Sequence, residues 1–526
     1  MSRGVASTAG RRSLRRRFTA LFVGPATFAL LLCSAPAAMA ADSIYWNNYT
    51  GGTVAYANLD GSGGGPLNTT GASVDEPEAM AIDTATGRLF WTSPGAESSG
   101  RIFFANLDGS GGGQLDTGAA PSKSPYGLAI DPTTRTLYWT NAAEGLGGEA
   151  TIGYARLDGS GAGLLNVGTA PLADPYILAI DTAARRIYWP NTSGEEQIAY
   201  ANLDGGGGGV LDTSGATPPT GPRGLSIDVA AGRIYWIDET IASYASLAGG
   251  GGGDLNTGAA NFNDPFGLAL DPTAGRLYWG NYGNGTNPLG AFAYANLPGG
   301  GSGGSIDIAT APVDGPQHPV ILKAPSGVSA PQVSFNRARG VLSCTQGAWA
   351  PDQAGASFYQ APQTTTYQWS RNGAQIAGAT ANTYKPRAAG SHTCSVTASN
   401  HAGATTQTSG PRRIKAAKVK LVAQSRKRRT KPGKAATFRV KLRNTGDLVS
   451  SKARLCTRAP KKAKKAVRAP KCRRFSRIAP GRSRTLRLRV KAKRPAAGTY
   501  RLRFIVRGTK ATKPAAARLI VKPKRG

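Results

Sequence analysis

Histidine and carboxylate are the side chains through which this chain could do acid–base or metal chemistry, and their placement is uneven. Among 526 residues there are three histidines, His318, His392 and His401. None lies between residues 42 and 317, so a Ser-His-Asp triad or a His-ligated metal has nothing to build on there. His318, at the edge of that span, reads as structural. Carboxylates are plentiful: residues 42–323 hold 27 Asp/Glu against 11 Lys/Arg. Two facing carboxyls are what glycoside cleavage requires. Most of these acids recur at equivalent places, however. Asp83, Asp131, Asp181, Asp228 and Asp271 close one recurring motif, and Asp60, Asp108, Asp158 and Asp204 open a recurring Asp-Gly or similar turn. Repetition of that kind points to hairpin and turn chemistry. The acids that break the pattern are Asp174, Glu195-Glu196 and Asp238-Glu239, and a catalytic pair would have to be sought there. One Asp per turn is too few for calcium, which needs several oxygens at one point. Gly-rich runs such as 108–113 are followed by no Gly-Lys-Ser/Thr, so they are not phosphate loops. No residue is assigned a catalytic, metal-ligating or cofactor-binding role.

The opposite charge is concentrated at the other end. The net charge of +35 comes from residues 412–526, which carry 42 Lys/Arg and one acid, Asp447. The densest part is Lys461, Lys462, Lys464, Lys465 and Arg468, between Cys456 and Cys472, with Arg473 and Arg474 just beyond. Such a stretch is either a solvated surface or a contact for a polyanion: an acidic wall polymer, an acidic polysaccharide, an anionic lipid surface or extracellular nucleic acid. Few aromatics interleave the charges, so base stacking and specific nucleic-acid recognition are not indicated.

The elements that must position these groups repeat. An aromatic-Trp pair recurs at Trp46, Trp91, Trp139, Trp189, Trp236 and Trp279, spaced 45, 48, 50, 47 and 43 residues apart. A period in the forties with several short apolar runs per copy is the pattern of propeller blades. Each copy reads as four strands: a short apolar run such as 127–130, an aromatic run such as 137–139, an alternating run such as 152–157, and a weak outer strand near Leu164. The first Tyr45-Trp46 has no apolar strand before it. The last copy ends in Pro316–Leu322 with no Tyr-Trp after it. One C-terminal strand and three N-terminal strands should therefore complete a sixth blade and seal the ring.

The elements P-x-G-L-A-I-D, L-Y-W and L-D-G in this order resemble the YWTD repeats (class B repeats) of the low-density lipoprotein receptor family. That resemblance implies a six-bladed β-propeller over residues 41–325. The acid two residues after Trp survives at Asp238 and is otherwise Asn48, Ser93, Asn141, Asn191 or Asn281. Asn or Ser can still bond a neighbouring backbone amide, so the fold should hold while the receptors' ligands do not carry over.

Residues 1–40 read as an export signal: arginines at 11–17, an apolar run from Phe18 to Cys33 and Ala38-Met-Ala40 as a cleavage site. Arg15-Arg16-Arg17-Phe18 resembles a twin-arginine signal. Residues 326–411 resemble a bacterial immunoglobulin-like domain. Cys344, Trp369 and Cys394 stand 25 residues apart, as the inter-sheet disulfide with its packed Trp implies. Residues 412–526 alternate with period two around an Asn-Thr-Gly-Asp turn and a Pro-Gly hairpin, and resemble a CARDB-like β-sandwich. Its ends, 425–434 and 510–526, are expected to be looser. Four cysteines remain once Cys33 is removed, and Cys344–Cys394 with Cys456–Cys472 is the natural pairing in an exported chain.

The fold class expected is thus all-β: a propeller followed by two sandwiches. The function expected is that of a secreted or envelope-associated, non-enzymatic binding protein. Its propeller would face an unknown protein or glycan, its basic module would anchor on an anionic envelope polymer, and the mature chain would have no transmembrane segment. The alternative is an exported polysaccharide hydrolase or lyase using propeller carboxylates.

Overall fold

The computed structural model describes residues 41–95, 100–142, 149–284, 291–308, 310–494 and 497–522. The expected export signal lies outside the described residues. The described chain is all-β, and six antiparallel sheets follow one another along residues 43–322. Blade 1 spans 80–114, blade 2 125–164, blade 3 179–210, blade 4 224–254 and blade 5 265–305. Blade 6 pairs Pro316–Leu322 with Ser43–Asn48, so that Tyr45 faces Val320 and Ser43 faces Leu322. It therefore holds one C-terminal and three N-terminal strands. Each inner strand packs on the inner strand of the next blade, and that of blade 6 packs on those of blades 5 and 1, which closes the ring.

The recurring residues account for this geometry. The six tryptophans are fully buried on the second strands. Four of them donate Nε1–H to a carbonyl 18 residues upstream, as Trp139 does to Pro121 at 3.0 Å, tying each blade to the loop that enters it. The residue two after Trp fixes the same loop. Asn141, Asn191 and Asn281 accept the backbone N–H of Lys123, Ala173 and Asn263 at 3.1, 2.8 and 3.1 Å. Asp238 accepts from Thr220 at 3.0 Å, and the Ser93 hydroxyl donates to the carbonyl of Asp75. The amide thus replaces the carboxylate without loss of the bond, and the hydroxyl ties the loop by a different one.

Residues 327–414 form small sheets around Trp369, Cys344 and Cys394, and the two cysteines are bonded. Arg412–Ile414 pairs with Gly390–Asn400, so the expected boundary at 411/412 is corrected: this strand belongs with the sheet of the preceding residues. The remaining residues form a sandwich. One sheet orders Val419–Ala423, Ala435–Asn444, Ser483–Ala492 and Val467–Arg468; the other orders Lys427–Thr430, Ala515–Val521, Gly498–Arg507, Ala453–Arg458 and Arg473–Phe475. Phe438, Val440, Leu488, Leu502, Phe504 and Leu519 fill the space between them. The loose ends expected here are also corrected. Lys427–Thr430 and Ala515–Val521 are strands paired in parallel, because Ala517, Leu519 and Val521 alternate into the core. Cys456 and Cys472 are bonded.

Candidate functional site

The two ends of the ring differ in chemistry. The inner strands of blades 1 to 5 end in the recurring Asp, and Asp131, Asp181 and Asp271 accept N–H groups of the following turn near 3 Å. Asp83 and Asp131 also take Arg135 and Arg185 from the next blade, and Asp271 takes Lys323 at 2.6 Å. These acids therefore join blades. The same end is stopped by residues that follow the ring. A short turn, Ala354–Ala356, packs on the inner strands of blades 2 to 5, and Phe358–Tyr359 adds in parallel to Pro316–Leu322 inside the ring. Asp352 accepts the Thr84 hydroxyl and the N–H groups of Gln360 and Ala361, both at 2.7 Å.

The opposite end is where the repeat breaks. The position after the motif proline holds Glu78, Tyr126, Tyr176, Arg223, Phe266 and Gln317 in the six blades, although in blades 1 to 5 the motif that follows it varies little. The residue before each of those prolines has positive φ: Glu76 (43°), Ser124 (44°), Asp174 (48°), Gly221 (60°), Asp264 (56°) and Gly315 (66°). Only two of these are glycine, so four side chains are held on a backbone that L-residues avoid. Such strain concentrates at functional sites.

Tyr176, in blade 3, meets Glu78 at the entry to blade 1, Phe266 in blade 5 and His318 in blade 6, none of them in a neighbouring blade, which places its ring at the ring axis. His318 Nε2, in blade 6, lies 3.2 Å from Glu78 Oε2. The Tyr176 hydroxyl, in blade 3, lies 3.3 Å from both Glu78 oxygens. Glu78 and His318 are buried, at 3% and 4% exposure. Burial and then the Glu78 charge push the Tyr176 hydroxyl well above its ordinary pKa, so it stays protonated and donates to that carboxylate. The Tyr176 ring packs on Tyr126, Phe266 and His318 with centroids 5.1, 6.0 and 6.1 Å apart. Gly267 makes room: a Cβ there would lie 2.4 Å from His318 Cα. Asn47 Oδ1, Gln317 Oε1 and His318 Nδ1, all in this layer, are buried with no partner among the described residues. Buried orphan polar atoms are rare and mark sites of strain or binding.

Beside this layer opens a cavity of about 620 Å³ lined by Tyr176, Thr192, Glu196, Thr220, Arg223, Glu239, Thr240 and Phe266. That volume suits a small ligand or a partner's side chains. Arg223 lies 4.8 Å over the Phe266 ring and is held by Asp264 and by Glu239 at 3.3 Å. Glu196 accepts the Gly221 N–H at 3.0 Å. The repeat-breaking acids Asp174, Glu196 and Glu239 therefore gather at this end of the ring. Glu78, which sequence reasoning missed, is the one at its centre. Its signal was available: an acid stands where the other motifs carry Tyr, Arg, Phe or Gln.

The basic residues in and just after the Cys456–Cys472 loop lie on different elements. Lys461–Ala463 is a short 3₁₀ turn, and Ala463 and Val467 are buried. Arg468 joins the first sheet opposite Lys491, whereas Arg473 and Arg474 join the second, Arg474 opposite Arg454. Lys464 and Lys465 stay exposed between them. Among the described residues no three His, Cys, Asp or Glu side chains converge as metal ligands, and no helix is long and apolar enough to cross a membrane.

The chain matches no protein-family model and no curated protein. Similar solved structures include a nidogen/laminin complex, at 17% identity over 53% of this chain and 98% of that one, with a TM-score of 0.41. Two others are candidate 6-phosphogluconolactonases from Bacteroides uniformis and Bacteroides fragilis. They share 16% and 15% identity over 58% and 60% of this chain and 89% and 92% of those chains, each with a TM-score of 0.36. The all-β class and the closed ring rest on this chain's own sheets.

Proposed function

We propose that this is an extracytoplasmic, non-enzymatic binding protein, built on a YWTD-type propeller whose open mouth recognises a protein or glycan presenting a cationic group. The observation that carries the proposal is the set of equivalent positions holding Glu78, Tyr126, Tyr176, Arg223 and Phe266 while the motif around them repeats, with Gln317 at the same place in the closing blade. The mouth offers stacked rings and an excess of acid. Arg223 is answered by Asp264 and Glu239, and among the described residues Glu196 and Asp174 have no ion-pair partner. A cation next to aromatic faces and carboxylates is favoured electrostatically. The engaged state of the carboxylates supports binding over hydrolysis, since Glu78 is bonded to His318 and Tyr176 and Glu239 is bonded to Arg223. Two disulfides suit an oxidising compartment. The second function, anchoring on a polyanion through residues 412–526, rests on their 42 bases against one acid.

The test is binding of the purified protein to fractionated envelope protein and glycan. Tyr176→Ala and the pair Glu196→Gln/Glu239→Gln should each weaken capture of the mouth's partner at least tenfold, and blocking the partner's amines by acetylation should do the same. Capture that survives both changes, with turnover of the glycan instead, would establish the hydrolase reading.

A further inference from the structure

The second sheet of the C-terminal sandwich places like charges directly opposite one another. Arg454 faces Arg474 on one side and Arg507 on the other. Two rows further along, Arg458 faces Arg503. In the adjacent row Arg501 faces Arg518, and Arg518 faces Lys427. All these residues are on the exposed face of their strands. Opposed like charges destabilise a sheet. No acid relieves them: Asp447, the sole acid of the module, accepts the Arg337 guanidinium at 2.5 Å and the Lys415 N–H at 2.9 Å. Solubility alone would be met by interspersed signs. The last row borders a groove of about 600 Å³ that Arg426, Lys427, Arg501 and Arg518 share with Leu421 and Ala515–Ala517.

We infer that this face, and not the Lys-rich segment between Cys456 and Cys472, binds a linear phosphate polymer laid across the strands. The inference rests on the polyanion reading above and names its site and ligand class. Neighbouring strands are about 4.8 Å apart and alternate residues about 6.7 Å apart, so the arginine positions repeat across the face closely enough for a flexible linear polyanion to meet several of them. Guanidinium forks match phosphate oxygens bidentately. The face carries no aromatic ring in its arginine rows, so the polymer's backbone, not a base, is what it can read.

The test titrates the purified full chain with long-chain inorganic polyphosphate between about 0.05 and 0.5 M salt, where screening changes strongly. Two variants are compared: Arg454→Gln/Arg458→Gln/Arg503→Gln/Arg507→Gln on the face, and Lys461→Gln/Lys464→Gln/Lys465→Gln in the segment. The face variant should lose at least tenfold in affinity, and its salt slope should fall by about one for each phosphate contact removed. The segment variant should change less than threefold. The face variant should melt no lower than the parent, since it relieves opposed like charges, and the segment variant should melt as the parent does. If the face variant fails to fold, Arg501→Gln/Arg518→Gln replaces it, with a loss of at least threefold expected. A larger loss in the segment variant would overturn the inference while keeping the polyanion reading. No binding by the parent at the lowest salt would overturn both. Single-stranded oligothymidine and anionic vesicles serve as comparison ligands: binding of either more tightly than polyphosphate would overturn the ligand class.

Discussion

His318 and Glu78 are 240 residues apart and meet at 3.2 Å, buried, where the sixth blade closes against the first. The contact belongs to the ring seal and to the mouth at once. Pro316–Leu322 must be in place for His318 to reach Glu78, and the two then fix the height of the Tyr176 ring that lines the cavity.

Glu78→Leu should therefore act on both. It removes the acceptor of His318 and of Tyr176 and leaves two buried polar groups unpaired, a loss on the order of 3 kcal/mol. Thermal melting should shift downward, and partner capture at the mouth should fall even well below the new midpoint. Glu78→Gln, which keeps an acceptor oxygen, should recover most of the stability. An unshifted melting curve for Glu78→Leu would show that the layer is not packed as described.

Asp238 should make blade 4 sensitive to pH. Its equivalents Asn141 and Asn191 donate Nδ2–H to Pro121 and Pro171, both at 3.2 Å, but a carboxylate has no such proton. Asp238 Oδ1 and Trp236 Nε1 are both buried without partners among the described residues. Burial above all raises the Asp238 pKa to about 6, against the weaker opposing bonds from Thr220. A carboxyl raised in the folded state binds its proton more tightly there than when unfolded. Its cost is thus present above about pH 6 and is relieved as pH falls toward the ordinary carboxylate range. The full effect is on the order of 3 kcal/mol. Asp238→Asn should raise the melting temperature at pH 7.5 and flatten its change between pH 7.5 and 5. A variant no more stable than the parent at pH 7.5 would count against this.

Gly355 should tolerate no side chain. A Cβ there would stand 2.3 Å from the Ile180 carbonyl oxygen and 3.1 Å from Ile227 Cβ, both in the ring's inner strands. Gly355→Val should unseat the turn Ala354–Ala356 at a cost of roughly 1–3 kcal/mol. Protease sensitivity should then appear near residues 350–362, with the Cys344–Cys394 bond intact. Resistance equal to the parent's would mean that the turn does not stop the ring.

The sequence by itself determined what is local or periodic. Trp46 through Trp279 set the blade period, and the unpaired halves at Tyr45-Trp46 and Pro316–Leu322 set the closure. Alternation at 484–492 set which face of the sandwich is charged, because side-chain direction in a strand follows residue parity. The tertiary structure decided what depends on distance in the chain. No pattern links Glu78 to His318, or Asp352 to Thr84, because each pair is far apart in the chain and meets only through the tertiary arrangement. The strand at Ala515–Val521 was read as loose because its alanines carry little apolar signal, and its partners lie as far away as Lys427–Thr430. The opposition of Arg454 to both Arg474 and Arg507 was likewise invisible, since strand register is fixed by packing across the sheet and not by spacing along it.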